Sequence, residues 1–207
     1  MVWIIFIAIL VLFILFYNFY FLRQPKRKIL HNDNHFLSPA EGKIIAIVDS
    51  GEADKAIYKK QRKVLDDFTA GVGRDATMIV IEMKLTDVHY QRAPHDARLI
   101  AQHHRKGSYA NAVFGAKSLH ATDKNEHNEM IFITHDHITF KIVQIAWLLA
   151  RRIVSFIQKD QQMTQGETIG LIRLWSQVVV VFDDHVEVTV KVGQRVVDGE
   201  TVLGVKK

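Results

Sequence analysis

The chain has 207 residues and a mass of 23.8 kDa, the size of one ordinary domain with room for a buried core. Its hydrophobic fraction of 48% excludes a disordered chain, and the absence of cysteine excludes disulfide frameworks, zinc fingers, iron–sulfur sites and a cysteine nucleophile. The formal net charge is +5, yet residues 1–22 carry no charged side chain. An apolar N-terminal segment therefore precedes a polar domain.

The first predicted element is a transmembrane helix over residues 1–22. From residue 2 onward Asn18 is its only clearly polar side chain, and a helix of this length spans about 30 Å, the thickness of a hydrocarbon core. Trp3, Tyr17 and Tyr20 lie near its ends, where aromatic rings favour the headgroup level. A cleaved signal peptide is disfavoured because no basic n-region and no small-residue cleavage site are present. A buried core helix is the other alternative.

A basic run follows the apolar segment and consists of Arg23, Lys26, Arg27 and Lys28. Basic residues beside a span stay on the cytoplasmic side, so we expect a single-pass protein of the cell membrane whose main domain is cytoplasmic. The same charges suit anionic lipid headgroups, while a solvated linker is the simpler interpretation. We predict a basic, polar linker over residues 23–36.

Residues 37–207 are predicted to form one mainly β domain (α+β) with a few helices. The predicted strands are rich in β-branched residues and are bounded by turn residues. They span residues 42–48, 77–84, 130–134, 137–143, 178–182 and 186–192. Residues 54–68 are predicted as a short helix or an excursion, and residues 146–157 are ambiguous between helix and buried strand.

Two segments near the C-terminus share a Gly-Glu-Thr turn followed closely by a second glycine, from Gly166 to Gly170 and from Gly199 to Gly204. This rhythm of turns and short strands predicts stacked hairpins of the barrel-sandwich type. Lipoyl and biotinyl carriers use such hairpins, but a carrier needs a lysine displayed at a tight turn, and the sequence offers none.

His89 is the first candidate for chemistry. It follows the strand at residues 77–84, is flanked by Asp87 and Arg92, and precedes the stiffening Pro94. Imidazole titrates near neutrality, which suits proton transfer and nucleophile activation. A surface histidine or a buried histidine with satisfied hydrogen bonds is the alternative.

Glu41 and Ser176 are weaker candidates when taken alone. Glu41 lies in a Pro-Ala-Glu-Gly turn before a strand, and Ser176 lies between two apolar strands. A hydroxyl becomes a nucleophile only when a base and an acid stand beside it.

Other polar motifs predict less. The two imidazoles of residues 135–137 have the spacing of metal ligands but no third ligand, so no metal site is predicted. Nucleotide-binding loops and the G-x-S-x-G elbow are absent from the sequence. Lys and Arg do not alternate with aromatic residues in a patch, so nucleic-acid binding is not predicted.

Four segments in this order resemble the phosphatidylserine decarboxylase family in its short, single-anchor form. They are SPAEGKI (38–44), DVHYQRAP (87–94), NEHNEM (125–130) and the long segment 144–177. The tail at residues 190–204 is also similar to the family's C-terminus, so the resemblance covers nearly everything from residue 37 to 207.

The resemblance implies a zymogen that cleaves itself before a serine and leaves a pyruvoyl cofactor there. The pyruvoyl ketone reacts with the serine amine of the lipid and accepts electrons as carbon dioxide leaves, giving phosphatidylethanolamine. The acid–histidine–serine set would be Glu41, His89 and Ser176, with cleavage between Trp175 and Ser176. Phosphatidylserine, an anionic aminophospholipid in the membrane, would be the substrate, and a homodimer is implied.

Residues involved in substrate binding would include Arg92 and Trp147. Here the sequence departs from the family pattern, because Trp147 and Trp175 stand where glycines are usual. Glu41 replaces Asp, and Gln177 replaces Thr or Arg. Glycine permits backbone conformations that an indole-bearing residue does not.

Three functions therefore stay open. The first is a pyruvoyl-dependent phospholipid decarboxylase, a lyase of lipid metabolism. The second is a non-catalytic relative that binds lipid or a membrane partner and carries no cofactor. The third is a hairpin-sandwich adaptor, which leaves the His89 and Ser176 segments unexplained.

Overall fold

The computed structural model describes residues 2–51, 65–73, 75–107, 125–146, 153–173 and 176–207. The described chain is mainly β and is preceded by an apolar helix, which confirms the predicted fold class. Most of the ambiguous segments lie outside these residues, namely residues 54–64 and 147–152.

The N-terminal helix α1 spans Val2–Leu15 and continues as a π-helical segment at Phe16–Phe21. None of the residues of α1 is buried against the domain. Together, residues Val2–Phe21 are long and apolar enough to form a candidate membrane span. A further short helix lies at residues 65–69, within the segment predicted as helix or excursion.

The described residues that follow contain fourteen strands. Those predicted at residues 42–48, 77–84 and 178–182 lie within one or two residues of their predicted bounds. The strands are β1 (His35–Leu37), β2 (Gly42–Asp49), β3 (Thr77–Met83), β4 (Tyr90–Arg92), β5 (Ala97–Arg105), β6 (His127–Ile133), β7 (Thr139–Ala146), β8 (Ile153–Ser155), β9 (Gln162–Met163), β10 (Thr168–Ile172), β11 (Ser176–Phe182), β12 (Val186–Val188), β13 (Arg195–Val196) and β14 (Val202–Lys206).

The strands form one large sheet and two small ones. The large sheet has eight strands in the order β13-β2-β3-β11-β7-β6-β5-β9. The small sheets have the orders β1-β14-β12 and β4-β10-β8. Neighbouring strands pair antiparallel in each of them.

Strand β11 is buried along its whole length between β3 and β7. Val178, Val180 and Phe182 face the main core, whereas Val179 and Val181 face a second core on the opposite side of the sheet. Successive side chains of a strand point to opposite faces, so apolar layers on both sides demand the unbroken run VVVVF.

Residues 23–34 lie along the domain surface as an extended segment, which we call the juxtamembrane strap. The backbone N–H of Asn32 donates to Gln165 Oε1 at 3.0 Å, and Ile29 packs against the turns of Gly166 and Gly199. Both glycines have positive φ, and a Cβ on either would come within 2.8 Å of Ile29. The predicted linker is thus fixed to both Gly-Glu-Thr turns.

Candidate active site

His89 lies between β3 and β4, and its side chain is completely buried. Its Nδ1 donates to the carbonyl oxygen of Asp87 at 2.9 Å, because a carbonyl can only accept. Nδ1 therefore carries the proton in the neutral ring. Nε2 has no hydrogen-bond partner in the described part of the chain.

Burial lowers the pKa of His89 from 6.5 to about 4. The hydrogen bond to the Asp87 carbonyl and the charge of Asp87 oppose this shift, while the charge of Arg23 adds to it. The imidazole is thus neutral at pH 7, and its free lone pair is on Nε2. A neutral ring with an unengaged nitrogen can accept a proton from a nearby hydroxyl.

Asp87 is itself held in place at the end of β3. One carboxylate oxygen accepts from the backbone N–H of Lys84 at 2.8 Å, and the other forms an ion pair with Arg195. The carbonyl that orients His89 is therefore fixed by contacts on both sides of the turn.

Ser176 is the first residue of β11 and pairs with Met83 on one side and Ala146 on the other. Its side chain is buried, and the hydroxyl donates to Met83 Sδ at 3.4 Å. A thioether is a weak acceptor, so this hydrogen bond holds the hydroxyl only loosely.

Gln91 links this serine to the histidine segment. Its Nε2 donates to the His89 carbonyl at 2.6 Å and lies 4.0 Å from Met83 Sδ. Its Oε1 accepts from Gln144 Nε2 at 2.7 Å, and Gln144 in turn accepts from Asn128 at 2.8 Å. Ser176, Met83, Gln91 and the backbone carbonyl of His89 thus form one buried polar network, and no hydrogen bond joins the Ser176 hydroxyl to the His89 ring.

Glu41 is engaged with a residue of the strap. Its carboxylate pairs with Arg27 of the strap, and the same guanidinium also pairs with the fully buried Asp198. Since His89 Nδ1 bonds to the Asp87 carbonyl and Nε2 has no partner, Glu41 makes no hydrogen bond to the ring.

Arg92 has its guanidinium turned into the protein. Nε donates to Asp198 at 2.7 Å, and the two terminal nitrogens donate to the carbonyls of Gly166 and Pro25 at 3.0 and 3.2 Å. Arg92 and Arg27 therefore hold Asp198 between them and tie the strap to the domain. The other two sequence candidates, Trp147 and Trp175, lie outside the described residues.

Sequence reasoning missed several members of the site, including Phe21, Gln91, Gln144 and Asp198. The Phe21 ring stacks on His89, with 4.3 Å between ring centroids. Three of these residues lie in segments already quoted for the resemblance, but a single sequence does not show which partners their side chains contact. Asp198 is part of a turn that predicts only a hairpin.

The motif NEHNEM contributes to two different faces of the sheet. Asn128 joins the buried network, while His127 and Glu129 lie on the opposite face beside Phe68, where Lys141 pairs with Glu129 at 3.0 Å. The group of buried Asp183 with exposed Asp184 and His185 has a geometry that could hold an ion, but exposed acidic groups commonly carry none.

Comparison with known proteins shows which family the chain resembles. Residues 14–204 match the family profile described as Phosphatidylserine decarboxylase. A protein of Pelagibacter ubique, named phosphatidylserine decarboxylase proenzyme, is 34% identical over 202 residues, which cover 97% of this chain and 85% of that protein. A relative of the same name from Syntrophotalea carbinolica is 34% identical over 188 residues, which cover 91% and 78%.

A further relative carries a different name. A protein of Methanocaldococcus jannaschii, provisionally named archaetidylserine decarboxylase proenzyme, is 31% identical over 202 residues. The match covers 98% of this chain and 96% of that protein. The chain belongs to the phosphatidylserine decarboxylase family.

Proposed function

We propose that this chain is a membrane-anchored, self-cleaving decarboxylase that converts phosphatidylserine to phosphatidylethanolamine. The observation that carries the proposal is the buried, neutral His89 with an unengaged Nε2, whose backbone carbonyl joins the polar network that includes Ser176. The names of the relatives point to the same reaction.

Self-cleavage needs a base for the Ser176 hydroxyl, and His89 is that base. Nε2 takes the proton as Oγ bonds to the carbonyl carbon of residue 175, and the peptide C–N bond breaks to give an ester and a free amine. Loss of the Ser176 α-proton then expels the ester as the carboxylate of residue 175. Water adds to the remaining enamine, ammonia leaves, and a pyruvoyl group stands at residue 176.

Features of the site support such a group. The ketone supplies an electron sink for the loss of carbon dioxide from an amine-bearing substrate. Ser176 is buried beside Met83 and Ala146, which excludes bulk water. The weak Met83 acceptor leaves the hydroxyl free to turn toward a base.

The apolar helix anchors this site to the bilayer. Lys26 and Lys28 are exposed just beyond the span and suit anionic lipid headgroups, whereas Arg27 is engaged inside the protein. The basic run supports a cytoplasmic position for residues 23–207.

A second candidate is a non-catalytic relative that binds an anionic lipid. It is favoured by Glu41, whose carboxylate is held by Arg27 instead of orienting His89. The sequence adds two tryptophans, at positions 147 and 175, in place of the family's usual glycines.

The intact mass of the purified full-length chain separates the two functions. The enzyme is expected to consist of residues 1–175 and 176–207, with no ordinary amino terminus on the shorter chain. Ser176→Ala should leave one uncut chain, and His89→Ala should block or slow the cut. A wild-type chain that stays whole during incubation with phosphatidylserine vesicles would favour the lipid-binding relative.

A further inference from the structure

The candidate membrane span reaches the site through its last residue. None of the side chains of α1 is buried, but Phe21, at the end of the π-helical segment, is completely buried. Its ring lies against His89 at 4.3 Å between centroids, tilted by 40°. The span therefore docks on the domain at the imidazole that the proposed function uses.

An aromatic row on one side of the helix leads to this contact. Phe13 and Tyr17 stack at 6.3 Å, and Tyr17 and Phe21 stack at 5.4 Å. Residues four apart lie on one helical face, so this row runs from the middle of the span to the histidine. Such a row gives apolar chains a continuous surface between the bilayer and the site.

A cation stands where this row leaves the span. Arg23 lies over the Tyr20 ring at 4.2 Å and donates to the carbonyl of Thr86 at 2.6 Å. Its charge is close enough to act on His89. Its side chain is only partly buried, so the guanidinium remains accessible to an anionic headgroup at the membrane surface.

The space beside His89 is thus filled by the Phe21 ring, and the Arg23 guanidinium lies nearby. We propose that the substrate phospholipid enters from the bilayer along the Phe13–Tyr17–Phe21 row and displaces the Phe21 ring from His89. The acyl chains follow the row, and Arg23 receives the anionic headgroup. Phe21 is then a positioning residue that covers the site until lipid arrives. This inference rests on the proposed function.

Displacement has a measurable cost. When a site is covered most of the time, its apparent affinity for ligand equals the intrinsic affinity multiplied by the fraction of molecules in which the site is open. A smaller side chain at position 21 should raise that fraction, and a larger one should lower it. Phe19 provides a matched control, because its ring lies two residues away and is 79% exposed.

The first experiment measures how accessible His89 is to diethyl pyrocarbonate. It uses the full chain in Ser176→Ala background, so that the result is independent of self-cleavage, with exposed His135 as internal reference. In phosphatidylcholine vesicles, Phe21→Ala should raise the labelling of His89 at least tenfold relative to His135. Phe19→Ala should leave it unchanged. Equal labelling of His89 with Phe and with Ala at position 21 would overturn the inference.

The lipid is tested in the same assay. With Phe21→Ala, vesicles containing phosphatidylserine should protect His89 at least threefold more than phosphatidylcholine alone, and Arg23→Gln should abolish the difference. Equal labelling in the two lipids would reject the displacement. Phe21→Leu, which keeps an apolar side chain, gives an intermediate labelling if the alanine variant does not fold.

Turnover provides the second readout and separates the two proposals. In the cleaved enzyme, Phe21→Ala should lower KM for phosphatidylserine at least threefold with little change in kcat, and Phe21→Trp should raise it. An unchanged KM in both variants would reject the displacement while leaving the decarboxylase intact. If the wild-type protein does not decarboxylate phosphatidylserine, the proposed function is rejected. The labelling experiment would still show whether Phe21 covers His89.

Discussion

Arg27 of the juxtamembrane strap is ion-paired with Glu41, the residue that the resemblance assigns as the acid of the site. The same guanidinium pairs with Asp198, which is completely buried and 171 positions away in the sequence. A basic residue that follows a membrane span is usually assigned to the lipid surface. Here its charge is used inside the protein, where it joins the strap to the domain.

Replacing Arg27 should therefore destabilise the domain. Arg27→Met leaves Glu41 unpaired and Asp198 with Arg92 alone, so we expect the free energy of unfolding to fall by about 2–4 kcal/mol. Arg27→Lys should recover only part of the loss, because an ammonium does not present the planar fork of a guanidinium.

Thermal and denaturant unfolding in detergent measure this change. Lys26→Met is the matched control, since Lys26 is exposed and neighbours Arg27 in the same strap. Equal stability of the two methionine variants would contradict the role assigned to the strap.

The buried network around Gln91 should also be worth several kilocalories per mole. Gln144→Leu removes the partner of Gln91 Oε1 and of Asn128 Nδ2, and each unsatisfied buried group costs about 1–3 kcal/mol. We expect a loss of about 2–4 kcal/mol, whereas Gln162→Leu on the exposed face of β9 should change stability little.

A double-mutant cycle makes this test specific. Gln91→Leu combined with Gln144→Leu should cost less than the sum of the two single changes, because the leucines replace both members of the 2.7 Å hydrogen bond. Strict additivity would show that the two amides are energetically independent.

His89 should make the fold sensitive to acid. Its pKa is about 4 in the folded chain and 6.5 in the unfolded chain, so between these values the unfolded state binds a proton that the folded state does not. The free energy of unfolding should thus fall as the pH drops from 7.5 to 4.5, with His89 contributing about 2–3 kcal/mol. His89→Gln should remove that contribution, and His135→Gln should retain it.

His127 titrates with the opposite sign. Burial disfavours its charge, but the Glu129 carboxylate and the carbonyl of Asn125 outweigh burial and raise its pKa. Its contribution is present at low pH and is lost as the pH rises. The His127 contribution is the same in all of these variants, so it cancels when their pH dependences are compared. A pH dependence of unfolding that is unchanged in His89→Gln would contradict a neutral His89.

Trp175 is expected to limit self-cleavage. An indole-bearing residue occupies the position directly before Ser176, where the family usually has Gly and a strained turn is easier to form. Trp175→Gly should therefore speed the appearance of the two chains at least tenfold, followed by intact mass over time. Trp147→Gly is the parallel change outside the scissile bond, and equal rates in wild type and Trp175→Gly would show that the indole is no obstacle.

Much of the fold was predictable because its signals are local. The strands at residues 42–48, 77–84 and 178–182 follow from runs of β-branched residues between turn residues. The excursion around residues 54–68 was less definite, since its charged composition fits both a helix and a loop. Within this segment the structure describes residues 65–68, which belong to a short helix.

The candidate site was predictable only in part. His89 and Ser176 were chosen by motif, and both belong to one buried network. The partners were not predictable, because the sequence does not show which side chain the Glu41 carboxylate contacts, and the structure pairs it with Arg27. Side-chain direction decides such contacts, and neither composition nor spacing specifies it.

The apolar N-terminal helix, the mainly β domain and the family follow from the sequence, because hydropathy, strand propensity and motif order are properties of short segments. The contact of Phe21 with His89 and the pairing of Arg27 with both Glu41 and Asp198 follow from the packing of the folded chain. These contacts unite residues that are far apart in the chain. They form when the strap and the sheets pack together. A buried charge without a partner raises the free energy of the folded state, and so does an apolar ring left in water, so packing favours these contacts.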